Sequence, residues 1–189
     1  MSDIKFFQGG SLELSMLLTK KRGREEPLTV DFLNIHGYAL TLTDDLFVGC
    51  QRDMDIIVRD GIGLRIFRRW LTTAEIGQRI PGPSFFEHFL KATGDVKHLF
   101  LGGSLETQQL MRRKYSGASN IRVIPVGKLH YDKSVMQEFS ENILSECNEF
   151  RPTYVWVGLG CPKQNLLASV LKKKIQCQAI LCVGAAFSY

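Results

Sequence analysis

Residues 153–187, "TYVWVGLGCPKQNLLASVLKKKIQCQAILCVGAAF", read as one strand–helix–strand unit. An apolar run from Tyr154 to Val157 ends on Gly158-Leu159-Gly160. Pro162 follows, and the fixed φ of proline suits a first helical turn. The segment from Pro162 closes on Lys172, Lys173 and Lys174, whose charges favour a helix C-terminus. A second apolar run then occupies 178–187. Strands that are apolar without alternation are buried on both faces, the signature of a parallel sheet covered by helices.

The same rhythm extends upstream. β-rich runs stand at "LTVDFLNI" (28–35), "DIIVR" (55–59), "KHLFLGG" (97–103) and "IRVIPV" (121–126), with helix-like stretches at 104–117 and 133–150. The pattern predicts an α/β, Rossmann-like fold over 28–189. Its sheet is mainly parallel, of about six strands, with helices on both faces. Residues 1–27 break the rhythm and are expected to form an N-terminal extension or peripheral element, with "TKKRGREEP" (19–27) an exposed polar loop.

Composition narrows the function classes. The 189 residues suffice for one domain with a sizeable core. No run of about 18 apolar residues occurs, so no transmembrane helix is expected. The N-terminus "MSDIKFFQGG" has no basic region followed by an apolar stretch, so it does not read as a signal peptide. The five cysteines are scattered without a Cys-x-x-Cys, which suggests reduced thiols rather than a disulfide framework or zinc site. A net charge of +5 favours phosphate-bearing partners or an anionic membrane surface. The basic residues are dispersed and no recognition motif is evident, so nucleic acid is not an expected partner.

In open parallel sheets, ligands bind beyond the carboxyl ends of the strands. The unusual residues gather there. Asn34 and His36 follow the first run, Asp60-Gly61 the second, Gly102-Gly103-Ser104 the third and Pro125-Val126-Gly127 the fourth. Gly158 to Gln164 follow the fifth, and Gly184 lies in the sixth. Together they predict a polar, glycine-lined cleft, where backbone N–H groups and a helix N-terminus favour an anion. "IIVRDGIGL" (56–64) leaves three readings for Asp60: turn or cap chemistry, a nucleotide loop, or a catalytic base at the sheet's mouth. The dinucleotide pattern G-x-G-x-x-G fails, because position 66 is Ile, and no Walker A pattern is present. Asp53-Met54-Asp55 precedes its strand rather than ending it, so it is read as a solvated helix-to-strand loop, not a metal site.

"DGIGL", "QRIPGPSFFEHFL", "LFLGGS" and "VGLGCPKQNLL", in that order and followed by "VGAAFSY", resemble the WecG/TagA/CpsF family of bacterial glycosyltransferases, glycosyltransferase family 26. The resemblance covers roughly 28–189 and is most specific in Asp-Gly-Ile-Gly and Gly-Leu-Gly-x-Pro-Lys-Gln. It implies an inverting, metal-independent transfer of a hexose or N-acetylhexosamine from a UDP-sugar to a polyprenyl-diphosphate-linked saccharide. No cofactor is implied. The work would take place at the inner face of the bacterial cytoplasmic membrane, in cell-surface polysaccharide synthesis, by a cytoplasmic, peripheral enzyme. The oligomeric state is left open, a homo-oligomer included.

The resemblance also assigns residues. Asp60 lies in the motif of the family's proposed base, and a strand-end carboxylate can be held rigidly beside an acceptor hydroxyl. Arg79 matches an active-site arginine whose task is a phosphate or the acceptor diphosphate; a surface arginine is the alternative. Gln164 matches the glutamine after Pro-Lys and would hydrogen-bond nucleotide or sugar. Asn34 would orient donor or acceptor hydroxyls, with helix capping as the rival. Backbone N–H groups near Gly102-Gly103 and Gly158-Gly160, with Arg79 or Lys163, would stabilise the departing diphosphate. Phe67, Trp70, Phe85, Phe86 and Phe89 are read as packing rather than stacking platforms.

Four features depart from the family pattern. Phe32 stands where many members carry threonine, Ser188 where Asp is common, and "PVGKLHYD" (125–132) lacks paired prolines. Members usually continue into a C-terminal appendage, for which the sequence to Tyr189 has no counterpart. That feature keeps a second expectation alongside the first: a catalytically weak or inactive nucleotide-sugar binding module of the same fold. "GLRIFRRWL" (63–71) interleaves Arg65, Arg68 and Arg69 with apolar residues and is read either as a core-packed amphipathic helix or as a membrane-surface element.

Overall fold

Strand β1, Leu28–Leu33, is buried at every position, Thr29 and Asp31 included. A strand shielded on both faces must sit inside a sheet, and β1 lies between two parallel neighbours, β2 (Ile56–Arg59) and β6 (Ala179–Cys182). The computed structural model describes residues 4–20, 26–64, 77–114 and 118–188. With β3 (His98–Gly102), β4 (Ile121–Ile124) and β5 (Tyr154–Gly158), the strands form one parallel sheet in the order β2-β1-β6-β5-β3-β4. This is the α/β, Rossmann-like arrangement expected from the residue rhythm.

Seven α-helices are present among the described residues: α1 (Ser11–Thr19), α2 (Ile35–Leu40), α3 (Asp45–Asp53), α4 (Gly82–Ala92), α5 (Leu105–Lys114), α6 (Lys133–Phe150) and α7 (Lys163–Lys172). They cover both faces. Tyr38, Phe47, Met136 and Leu167, from α2, α3, α6 and α7, share one core with Val155 and Val157. Leu14, Phe85 and Met111, from α1, α4 and α5, share the other with Tyr154 and Trp156. Alternate residues of β5 thus serve opposite cores, as the two-residue strand period requires. The aromatics of α4 are packing residues, as expected: Phe86 meets Trp156 edge-on at 5.0 Å and Phe89 meets Tyr154 at 5.0 Å. The buried His98 accepts from Trp156 Nε1 through Nδ1 at 3.1 Å, so its Nε2 carries the proton that reaches the Thr93 carbonyl at 2.8 Å. Burial pushes its pKa down, consistent with that neutral tautomer.

Near the N-terminus, Phe6 bridges Ile57 of the edge strand, and Leu14 and Leu18 of α1 are fully buried. The Tyr154 hydroxyl donates to the Leu18 carbonyl at 3.3 Å, which ties α1 to the sheet.

The apolar run 178–187 is not one strand. Val183 N–H still donates to the Val157 carbonyl at 3.1 Å, but Gly184 adopts φ 60° and begins a 3₁₀ turn, Gly184–Ser188. That turn brings the Phe187 ring against Gly158, where any Cβ would stand 2.4 Å from it. Glycine at 158 is therefore required by close packing.

Asp53 and Asp55 lie at the opposite end of β2 from Asp60, and they are tied down rather than freely solvated. Asp55 Oδ2 accepts from Thr29 N–H at 3.0 Å and from Lys172 at 2.9 Å, and Asp53 accepts from the Ser169 hydroxyl. No helix among the described residues is long and apolar enough to cross a membrane. Most of "GLRIFRRWL", including Arg65, Arg68, Arg69, Phe67 and Trp70, lies outside the described residues.

Candidate active site

The carboxyl ends of β2, β1, β6 and β5 open onto a cavity of about 310 Å³. Asn34, Asp60, Gly160, Gln164 and Gly184 all line it. Five residues from four strand ends are brought together, because a parallel sheet aligns every carboxyl end on one edge.

Asp60 follows β2 and is held there by its own N–H, which donates to the Leu33 carbonyl at 2.9 Å. Its Oδ1 accepts from Gly82 N–H at the first turn of α4, at 3.4 Å. Burial pushes its pKa above the usual carboxylate value; the N–H groups of Gly82 and Gly61 and then the Arg79 cation act the other way. The result is a half-buried carboxylate, more basic than an exposed one. Turn and catalytic readings are not exclusive here, since the same carboxylate touches a helix N-terminus and faces the cavity.

Asn34 is the N-cap of α2, its Oδ1 accepting from Gly37 N–H at 3.0 Å. It also lines the cavity, so capping fixes its side chain beside Asp60's site. Gln164 uses Oε1 to accept from Gly184 N–H at 2.9 Å, which joins α7 to the turn after β6. Phe32 lines the same cavity and packs on Phe85 at 5.3 Å. The wall there is apolar.

A second cavity, of about 420 Å³, adjoins the first through Gly160 and Gly184. Gly103, Gly158, Lys128 and Lys163 are among its lining residues. Gly103 N–H is engaged by the Gly158 carbonyl at 3.0 Å, and the N–H groups of Gln164, Asn165 and Leu166 by the Gly160 and Pro162 carbonyls, so the N–H donors for an anion narrow to the loop from Gly160 to Lys163. Neither Gly102 nor Arg79 is among the lining residues of either cavity. Gly102, at φ 108°, lies so close to β5 that a Cβ would approach the Gly158 carbonyl oxygen at 2.7 Å. Arg79 is exposed, bridges Arg59 of β2, and acts on Asp60 through charge.

Sequence reasoning did not single out Asp31. This β1 residue is fully buried, lines the central cavity, and accepts from Gln51 Nε2 at 2.7 Å through Oδ2. Burial pushes its carboxyl up to about 6, while the amides of Gln51 and Asn165 favour the ionised form and the Asp60 charge opposes it. Gln51 Oε1 and both polar side-chain atoms of Asn165 are buried without a hydrogen-bond partner among the described residues. The signal was present: a lone carboxylate inside "LTVDFL" is rare in a buried strand unless it is paired or functional.

The chain from residue 11 to residue 189 matches the model of the glycosyl transferase WecG/TagA/CpsF family. No curated protein matches the chain.

Proposed function

Because the chain belongs to the WecG/TagA/CpsF family of glycosyltransferases, we propose that it transfers a hexose or N-acetylhexosamine from a UDP-sugar to a polyprenyl-diphosphate-linked saccharide. The transfer inverts the anomeric carbon and serves bacterial cell-surface polysaccharide synthesis at the inner membrane face. The observation that carries this reading is Asp60: a half-buried carboxylate of raised pKa, lining a cavity that adjoins a glycine-lined one with two lysines.

The acceptor hydroxyl oxygen attacks the anomeric carbon as the bond from that carbon to the UDP oxygen breaks. Asp60 takes the hydroxyl proton, and the electron pair leaves with UDP. The Lys163 side chain and the N–H groups of the loop from Gly160 to Lys163 offset the charge on the departing diphosphate. Asn34 and Gln164 orient sugar hydroxyls, and Arg79 supports the acceptor diphosphate beside Asp60.

A thermal-shift screen of UDP-, GDP- and dTDP-sugars tests the donor assignment. UDP-sugars should raise the melting temperature most; stabilisation by another nucleotide alone would exclude the donor.

The pH profile follows from charge. Asp60 acts as a base only when ionised, so transfer falls on the acid side, at a higher pH than an exposed aspartate would set. Arg79 favours the ionised form, so Arg79→Gln should move that acid limb to higher pH. A limb that stays put or moves down would remove Arg79 from the neighbourhood of the base.

Chelation should leave transfer intact. Asp53 and Asp55 are held by structural hydrogen bonds at the end of β2 away from the cavity. EDTA treatment that abolishes activity, with recovery on adding Mn²⁺, would mean that a metal carries the diphosphate instead.

A further inference from the structure

A third cavity, of about 810 Å³, lies between α4 and α5 beside β4. Phe86, Leu90 and Ile121 line it, with Lys91 and Lys114 also among its lining residues. It shares Pro83 and Ala186 with the central cavity that holds Asp60. The three cavities therefore adjoin in series around the 3₁₀ turn. The glycine-lined one meets the central one at Gly160 and Gly184, and the central one meets the apolar one at Pro83 and Ala186.

Transfer requires donor and acceptor to reach Asp60 from different sides. The glycine-lined cavity, with Lys128 and Lys163, has the chemistry of a nucleoside diphosphate. The remaining neighbour is larger than the central cavity, and most of its exposed lining is apolar, with Glu87, Lys91, Lys114 and Asn120 the charged and amide residues among it. Along the apolar part of that lining a saccharide's hydroxyls would lose water without finding partners. A hydrocarbon gains throughout its length. We infer that this third cavity holds the polyprenyl chain of the acceptor, with the diphosphate-linked sugar passing between Pro83 and Ala186 to Asp60. The inference rests on the proposed transferase reading and adds to it the place of the lipid.

The test is photolabelling of the purified protein in detergent with undecaprenyl diphosphate that carries a diazirine on its terminal isoprene. Label should map to residues 83–94 and 118–121. Ser84→Trp and Ala118→Trp, each placing a large ring at the wall from a site that is not fully buried, should each lower labelling about tenfold, the effect of roughly 1.4 kcal/mol of lost binding. Melting temperatures of both variants report that the fold is kept. Label mapping elsewhere, unchanged labelling in both folded variants, or full competition by phospholipid lacking a diphosphate would overturn the inference. A parallel assay of sugar transfer keeps the two claims apart. Transfer with label outside the cavity removes the lipid site alone, whereas cavity labelling without transfer from any UDP-sugar supports the site and removes the transferase reading.

Discussion

Asp60→Asn should lower sugar transfer by roughly 10²–10⁴-fold, the range for loss of a general base. Asparagine has nearly the same shape and keeps an oxygen for the Gly82 N–H now 3.4 Å from Asp60 Oδ1. It cannot take the acceptor proton. The loss should fall on kcat, with UDP affinity and melting temperature nearly unchanged, because the interaction removed forms only as the proton moves. The carboxylate's raised pKa supports this assignment, since a base is more effective as its pKa approaches the working pH. Turnover near that of the unmodified protein would exclude Asp60 as the base.

Asp31→Asn should stabilise the protein at pH 7 by about 3 kcal/mol, at 1.36 kcal/mol per unit of pKa difference. The folded-state value is raised from 3.8 to about 6, so the folded chain holds the proton more tightly than the unfolded one. The stability this gives is fully present below pH 3.8 and is lost as pH rises through about 6. Above that, the ionised buried carboxylate is a net cost that an amide removes. The amide oxygen still accepts from Gln51 Nε2. Denaturant unfolding of both proteins should therefore diverge at pH 7 to 8 and converge near pH 4. A variant that is less stable at pH 7 would mean that the carboxylate's own interactions outweigh its burial.

The sheet was legible because its strands are buried on both faces and so are written as apolar runs. The helix over 133–150 matches its residue pattern to the residue, capped by Asp132 through Ser134 N–H at 2.8 Å. The run after β5 read correctly as helix then strand, yet the strand stops at Cys182. Apolar composition does not distinguish a strand from a tight apolar turn, and only the φ of Gly184 decides it. Asp60's address was legible for a general reason: the carboxyl end of a parallel strand faces the cleft whatever the neighbours are. Asp31 was not, since its burial depends on Gln51 of α3 and on Asn165 of α7, and contacts between distant segments leave no local pattern. Gly103 failed as a free anion donor for a similar reason, because the alignment of β3 with β5 gives its N–H to Gly158. The aromatics of α4 read rightly as packing, while the cavity that Phe86 and Leu90 help to form arises only where α4 and α5 meet β4.

Transfer of radiolabelled sugar from a UDP-sugar to a polyprenyl-diphosphate-linked saccharide by the purified protein, with the new linkage assigned by NMR, tests the account most directly. The account predicts label in the lipid product, an anomeric configuration opposite to the donor's, and product from Asp60→Asn lower by roughly 10²-fold or more under the same conditions. Label transferred with the donor's configuration retained, or no transfer from any UDP-sugar, would contradict it.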